Sequence, residues 1–216
     1  MQTKELQDIA SQVRRDIVRM VHGCQSGHPG GSLGCTDLIV GLYFQQMKIN
    51  NRKGKGGFLT FNMDGTNEDL FFLSNGHISP VFYSVLAHKG YYDKAEMATF
   101  RKINSRLQGH PTTHEHLPGI RIASGSLGQG LSVAIGAALA KRLNGEKTTV
   151  YCLMGDGEQQ EGQVWEAAQA APHHQLDNLI AVIDFMMGSH KWHGVAPNDE
   201  QLEAALAQLH ETLGDY

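Results

Sequence analysis

The chain has 216 residues, 41% of them hydrophobic, with 25 glycines and a formal net charge of −4 from 18 Lys+Arg and 22 Asp+Glu. That length and composition bound one compact α/β domain spanning 1–216, and the mild acidity gives no reason to expect nucleic acid or an anionic membrane as partner. Cys24, Cys35 and Cys152 show no CxxC spacing, the opening MQTKELQDIA lacks the apolar core of a secretory signal, and no apolar run is long enough to span a membrane, so a cytoplasmic protein with reduced, buried thiols is expected.

Leu6, Ile9, Ala10, Val13, Ile17, Val18 and Val21 recur at helical spacing and predict an opening amphipathic helix that stops near Gly23. Gln25 to Gly34 is too glycine-rich for a helix and reads as a loop that meets a ligand. Thr36 is expected to cap a second helix from Asp37 to about Gln46, with Leu38, Ile39, Leu42 and Tyr43 inward. Asn50 to Asn67 reads as an exposed polar excursion. Its Arg52, Lys53 and Lys55 could contact phosphate, but a solvated loop is the simpler reading. Asp69 to Leu73 is a short apolar run, a strand delivering Asn75-Gly76-His77. Ser79-Pro80 opens a helix to about His88, which Gly90 stops, and another helix is predicted from Asp93 to Ile103. His110 to Ala123 reads as loop. Leu127 to Leu143 predicts a helix whose Gly128, Gly130 and Gly136 let it lie close to another backbone or to a cofactor.

The most informative stretch runs from Val150 to Asp184. A short apolar run (Val150 to Met154) turns at Gly155-Asp156-Gly157, continues into a helical pattern expected to end before Pro172, and closes with a second apolar run at Leu179 to Ile183. Two short buried strands separated by a helix make a βαβ unit, hence a parallel sheet with helices packed on it. Ligands of such sheets sit at the carboxyl ends of the strands, where Gly155-Asp156-Gly157-Glu158 falls. The two glycines allow close backbone approach, the carboxylate is a hard donor for Mg²⁺ or Ca²⁺, and a helix start offers N–H groups to a phosphate. An ordinary Asp-Gly turn capping a helix explains the same tripeptide. Trp165 reads as core packing. Asn198 to about His210 reads as a plain amphipathic helix. Several of the 12 histidines fall in glycine-rich loops, where they are better site candidates than on an apolar helix face. His173-His174 reads as loop rather than metal site.

Four stretches together resemble the transketolase family: Ser26-Gly27-His28-Pro29-Gly30-Gly31-Ser32-Leu33-Gly34, Leu73-Ser74-Asn75-Gly76-His77, Gly109-His110-Pro111 with Ser124-Gly125-Ser126-Leu127-Gly128-Gln129-Gly130, and the Val150–Asp184 segment, which is similar to the family's thiamine diphosphate and Mg²⁺ motif. The resemblance is to the N-terminal subunit of a split-gene transketolase. Deoxyxylulose-phosphate synthase is a nearby relative, but HPGGSLG and GSLGQGLSVAIG look like transketolase. The resemblance implies a three-layer α/β fold, a mostly parallel sheet with helices on both faces. It implies thiamine diphosphate with Mg²⁺ or Ca²⁺ and transfer of a two-carbon ketol unit from a ketose phosphate to an aldose phosphate, as in the pentose phosphate pathway. It also implies a partner, a C-terminal subunit carrying the pyrimidine-binding domain, in a homodimer or heterotetramer.

Carried over by motif, Asp156 would be a metal ligand and Gly157 a backbone contact to the diphosphate. Gly125, Ser126 and Leu127 would meet the cofactor's rings through main-chain groups. Glu161 would belong to an acidic network crossing to the partner. His28, His77, His110 and His193 match the ring of active-site histidines, with His77 and His193 also touching cofactor. Arg101 matches a position near the site, though plain solvation on a helix explains it equally well. The pattern breaks after the second strand: Met186 stands where the family supplies an asparagine to the metal, and a thioether is a poor donor to a hard cation. The residues after it resemble the far end of such subunits. An internal segment is therefore expected to be missing near Asp184–Met187, leaving part of the sheet uncovered. Loss of the metal ligand would leave a non-catalytic pairing module as the rival reading.

Overall fold

In the computed structural model, which describes residues 1–185, the opening amphipathic pattern folds as α1 (Thr3–Cys24). The Glu5 carboxylate accepts the Gln2 N–H at 2.8 Å at its start, and Gln25 ends it in the left-handed region at φ 52°. Ala10, Val13, Ile17 and Met20 form its buried stripe, while Val18, expected inward, points off that stripe and is largely exposed.

The expected glycine loop from Gln25 to Gly34 is in part helical: Pro29 opens a short α2 (Pro29–Gly34). Thr36 is not a cap but the first residue of α3 (Thr36–Gly41), which widens into a π-helical turn over Leu42–Gln46. Hydroxyls stitch this region together, since Ser32 Oγ donates to the His28 carbonyl at 2.9 Å and Thr36 Oγ1 to the Ser32 carbonyl at 2.9 Å. Leu38 lies outward, whereas Ile39 and Tyr43 are buried.

After the excursion, β1 (Leu70–Leu73) leads through a 3₁₀ turn into α4 (Ser79–Lys89), stopped as expected by Gly90 at φ 100°. Every residue of α4 from Ser79 to Ala87 is buried, the mark of a helix surrounded by other elements. The helix expected over Asp93–Ile103 is only a 3₁₀ segment, Lys94–Thr99, capped by Asp93. Phe100 turns extended at ψ 127° and Arg101 takes φ 58°, which breaks the helix.

The chain then forms α5 (Gly130–Leu143), β2 (Val150–Gly155), α6 (Gly162–His173) and β3 (Leu179–Asp184). Gly128, expected inside the α5 helix, precedes it at φ 83°, and Gly136 faces open space rather than a neighbour. The α6 helix runs past Pro172 to His173, because a proline in the last turn forfeits only one helical bond. Trp165 is not in the core: it is 41% exposed, its Nε1 donating to the Gln159 carbonyl at 2.8 Å.

The sheet is parallel, in the order β1-β2-β3, with Leu70 paired to Val150 and Val150 to Leu179. Phe71, Leu73, Tyr151 and Leu153 face α1, α3 and α4. Leu70, Phe72, Val150, Cys152 and Met154 face α5 and α6. Helices thus cover both faces, the three-layer α/β arrangement expected, and each buried large apolar side chain contributes about 1.5–3 kcal/mol. Cover thins at β3, where Ile180 is 45% exposed and an apolar cavity of about 680 Å³ opens between α6 and the strand, lined by Leu131, Met154, Val164, Ala168, Leu179 and Ile183. Cys35 and Cys152 are buried free thiols, as expected, and Cys24 is half-buried. Among the described residues, no helix is long and apolar enough to cross a membrane.

Candidate active site

Because the strands are parallel, their carboxyl ends open on one side and the turns leaving them are neighbours. Ser74-Asn75-Gly76-His77 leaves β1, Gly155-Asp156-Gly157-Glu158 ends β2, and Asp184 closes β3. The Asp156 N–H donates to the Asp184 carbonyl at 3.0 Å, pinning the β2 turn to the β3 end.

Around this edge the structure gathers three of the predicted histidines. His28, at the start of α2, stands 5.3 Å from His77 between ring centroids, edge-on at 74°. His110 is held by α4: Ser79 Oγ donates to the Gly109 carbonyl at 2.7 Å and the Tyr83 hydroxyl to the Gln108 carbonyl at 2.9 Å. Gly125 lies against it, since a methyl there would sit 3.7 Å from His110 Cγ. Arg101 completes this rim, with Nη1 donating to Ser26 Oγ at 3.0 Å and its guanidinium packed on Gly109, where a methyl would lie 2.7 Å from Cζ. It is a site-side residue rather than a solvated helix surface. His193 and Met186 lie outside the described residues, as do the expected tail helix and the far side of the Asp184–Met187 junction.

The Ser124–Gly130 loop packs backbone to backbone on the β1 turn. A methyl at Gly76 would overlap the Ser124 carbonyl, and one at Gly130 would overlap the Ser74 side chain. Leu127 is tied to α6 through its carbonyl, which accepts from Gln163 Nε2 at 3.3 Å. Ser126 is exposed, and Glu161 stands just before α6, close to Gly128, without a side-chain capping bond.

Burial lowers the His77 pKa below its ordinary value near 6.5, and charge on His28 and His110 lowers it further against the pull of Asp156 and Asp184. Burial, then Arg101 and His28, lower that of His110 likewise. Both imidazoles are therefore neutral near pH 7, able to accept a proton or a hydrogen bond. Burial and then the hydrogen bond to Asp184 push the Cys35 thiol well up, so it is no nucleophile.

The residue sequence reasoning passed over is Glu158. It is 1% exposed, and its carboxylate accepts from Ser74 Oγ, from the Gly128 N–H at 2.6 Å and from the Gly155 N–H at 3.1 Å. Nothing local announces it; only a 3₁₀ turn over Gly157–Gln160 swings it inward. Asn75, 1% exposed beside Gly155, is a second residue to which the motifs alone assign no role.

A cation and diphosphate can be tested against this donor set. Among the described residues no group of three His, Cys, Asp or Glu could hold a metal alone. Asp156, whose Oδ1 accepts from the Gly157 N–H at 2.8 Å, is a partly exposed carboxylate at the edge, beside Asp184 at the end of β3. Mg²⁺ is commonly held by one or two carboxylates together with phosphate oxygens and waters, so a single aspartate fits a metal arriving with a diphosphate. Asn75 Oδ1 and Ser124 Oγ are buried with no hydrogen-bond partner among the described residues, a cost that polar groups of a ligand would relieve.

The family described as "Transketolase, thiamine diphosphate binding domain" matches residues 6–189. The chain belongs to this family. The transketolase domain is 38% identical over 184 residues to an apulose-4-phosphate transketolase subunit of Phocaeicola vulgatus, covering 85% of the chain and 62% of the relative. It is 36% identical over 180 residues to human transketolase, covering 83% of the chain and 27% of the relative. Among solved structures, transketolase from Campylobacter jejuni superposes with a TM-score of 0.79 at 32% identity, over 94% of this chain and 32% of that one. A Pichia stipitis transketolase in complex with sedoheptulose 7-phosphate gives 0.82 at 30% identity, over 96% and 30%. The domain thus spans about three fifths of the apulose-4-phosphate relative and about a quarter of the long human transketolase.

Proposed function

We propose that this transketolase domain is the diphosphate-binding half of a two-part enzyme that moves a two-carbon ketol unit from a ketose phosphate to an aldose phosphate. The observation that carries the reading is the convergence of His28, His77, His110 and Asp156 on the carboxyl edge of one parallel sheet. Thiamine diphosphate, when bound, supplies the carbon nucleophile of the reaction. Asp156 would hold Mg²⁺ or Ca²⁺, Gly157 would offer its N–H to the diphosphate, and Gly125, Ser126 and Leu127 would frame the rings. Neutral His77 and His110 would take hydrogen bonds and protons from substrate hydroxyls, with His28 beside them and His193 joining from the tail. Glu161, exposed at the start of α6, would face a partner.

That partner is a separate C-terminal subunit with the pyrimidine-binding domain, in a homodimer or heterotetramer in the cytoplasm. Two relatives are named as one subunit of an apulose-4-phosphate transketolase, which supports a split arrangement. Residues 1–216 then form one diphosphate-binding domain, with a segment missing around 184–188. The thin cover over β3 favours a second reading, a pairing module too short to turn over. Mixing the full chain with its C-terminal partner, Mg²⁺ and thiamine diphosphate separates the two. Ketol transfer that requires all four components is expected; complex formation without cofactor uptake or transfer would refute the enzyme reading and leave the pairing module.

A further inference from the structure

We propose that Glu158 is the positioning residue of this site, a clasp that holds three ligand-facing segments in one register. The proposal rests on the thiamine diphosphate reading above. One carboxylate oxygen accepts from Ser74 Oγ and from the Gly128 N–H, 84 and 30 residues away in sequence, and the other accepts from the Gly155 N–H. Ser74 Oγ in turn accepts from the Gly130 N–H at 3.1 Å. The donors belong to the turn carrying His77, the loop carrying Gly125, Ser126 and Leu127, and the strand end carrying Asp156. A buried glutamate placed only for packing would not draw all its donors from those three segments.

The polarity of this hydrogen-bond chain is fixed. The Gly128 N–H and the Gly155 N–H can only donate, one to each carboxylate oxygen, so both oxygens must accept. Glutamine, of the same shape, presents an amide N–H to one set of donors and breaks the pattern. Aspartate keeps the charge but is one methylene short of reaching both sides.

The test compares Glu158→Gln with the unaltered full chain, first by amide hydrogen exchange. Exchange at Gly128 and Gly155 should quicken at least about tenfold, while amides of α4 change less than about twofold. In titrations of the chain mixed with its C-terminal partner, using thiamine diphosphate and Mg²⁺, the half-saturating cofactor concentration should rise at least about tenfold. Combining Glu158→Gln with Ser74→Ala should cost less than the product of the single losses, because both break one hydrogen-bond chain. Unchanged exchange at Gly128 and Gly155, equal acceleration throughout α4, or losses that simply multiply would overturn the proposal. If the glutamine variant does not fold, Ser74→Ala, which removes one of the donors to Glu158, is read by the same exchange at Gly128 and Gly155. An unaltered chain that takes up no cofactor even with its C-terminal partner, in which Glu158→Gln still loosens Gly128 and Gly155 locally, would refute the cofactor reading while upholding the clasp.

Discussion

Replacing Gly128 with alanine keeps the N–H that Glu158 accepts and adds one methyl group, so its cost can be worked from two terms. The residue sits at φ 83°, where an L side chain costs about 1–2 kcal/mol. The new Cβ would lie 2.8 Å from Gln163 Nε2 and 2.9 Å from Glu161 Cβ. Gln163 can swing aside at the loss of its bond to Leu127, but Glu161 Cβ is fixed to the backbone that starts α6. Crowding of that kind typically costs about 1–3 kcal/mol. The sum, about 2–5 kcal/mol, should appear in urea denaturation as a lower midpoint at an unchanged slope. A loss under about 0.5 kcal/mol, the range of surface substitutions, would mean that Glu161 and Gly128 do not form a tight junction.

Asp156→Ala should weaken joint uptake of Mg²⁺ and thiamine diphosphate by roughly 100-fold or more with little change in unfolding, since the hard oxygen donor is lost at a partly exposed turn; calorimetric titration of the chain with its partner at fixed Mg²⁺ checks it, and unaltered affinity would remove Asp156 from the metal site. His77 and His110 have folded pKa values below the ordinary imidazole value, so the unfolded chain binds more protons in that window. Stability from these groups is therefore full above about pH 6.5 and falls as pH drops through their depressed folded values; His77→Gln should flatten that acid slope in urea unfolding, and an unchanged slope would contradict the assignment. Asp16, 6% exposed, accepts from His88 Nε2 at 2.8 Å, Gln12 at 2.8 Å and Ser84 at 3.2 Å, joining α1 to α4. Burial raises its pKa, but these bonds outweigh it and the pKa is lowered. Asp16→Ala should cost about 3–5 kcal/mol in denaturation, and a loss below about 1 kcal/mol would show that His88 and Ser84 find other partners.

The parallel sheet and its functional edge were legible because strand, turn and helix alternate in the Val150–Asp184 stretch, and because histidines lie in glycine-rich motifs that strands deliver. What escaped was set by distant contacts. Pro29 makes a short helix in a glycine-rich segment because Ser32 and Thr36 hydroxyls bind carbonyls one turn back. Phe100 and Arg101 break a plausible helix so that Arg101 can reach Ser26 and Gly109. Glu158 looks like any acid after a glycine turn, and its three donors become neighbours only when β1, β2 and the loop before α5 have assembled.

The pairing of Leu70 with Val150 also sets a clock on synthesis. β1 must wait for a partner about 80 residues downstream, and at about 5–20 residues per second that interval lasts roughly 4–16 s. During it α1, α3 and α4 can already collapse against Phe71 and Leu73, leaving one strand with a bare edge on a nascent helical cluster. β2 then docks on that edge, and β3, close behind in sequence, closes the βαβ unit at a loop-closure cost only about 1 kcal/mol smaller. A ribosome-stalled chain ending before Val150 would accordingly recruit chaperones more strongly than one ending after Asp184.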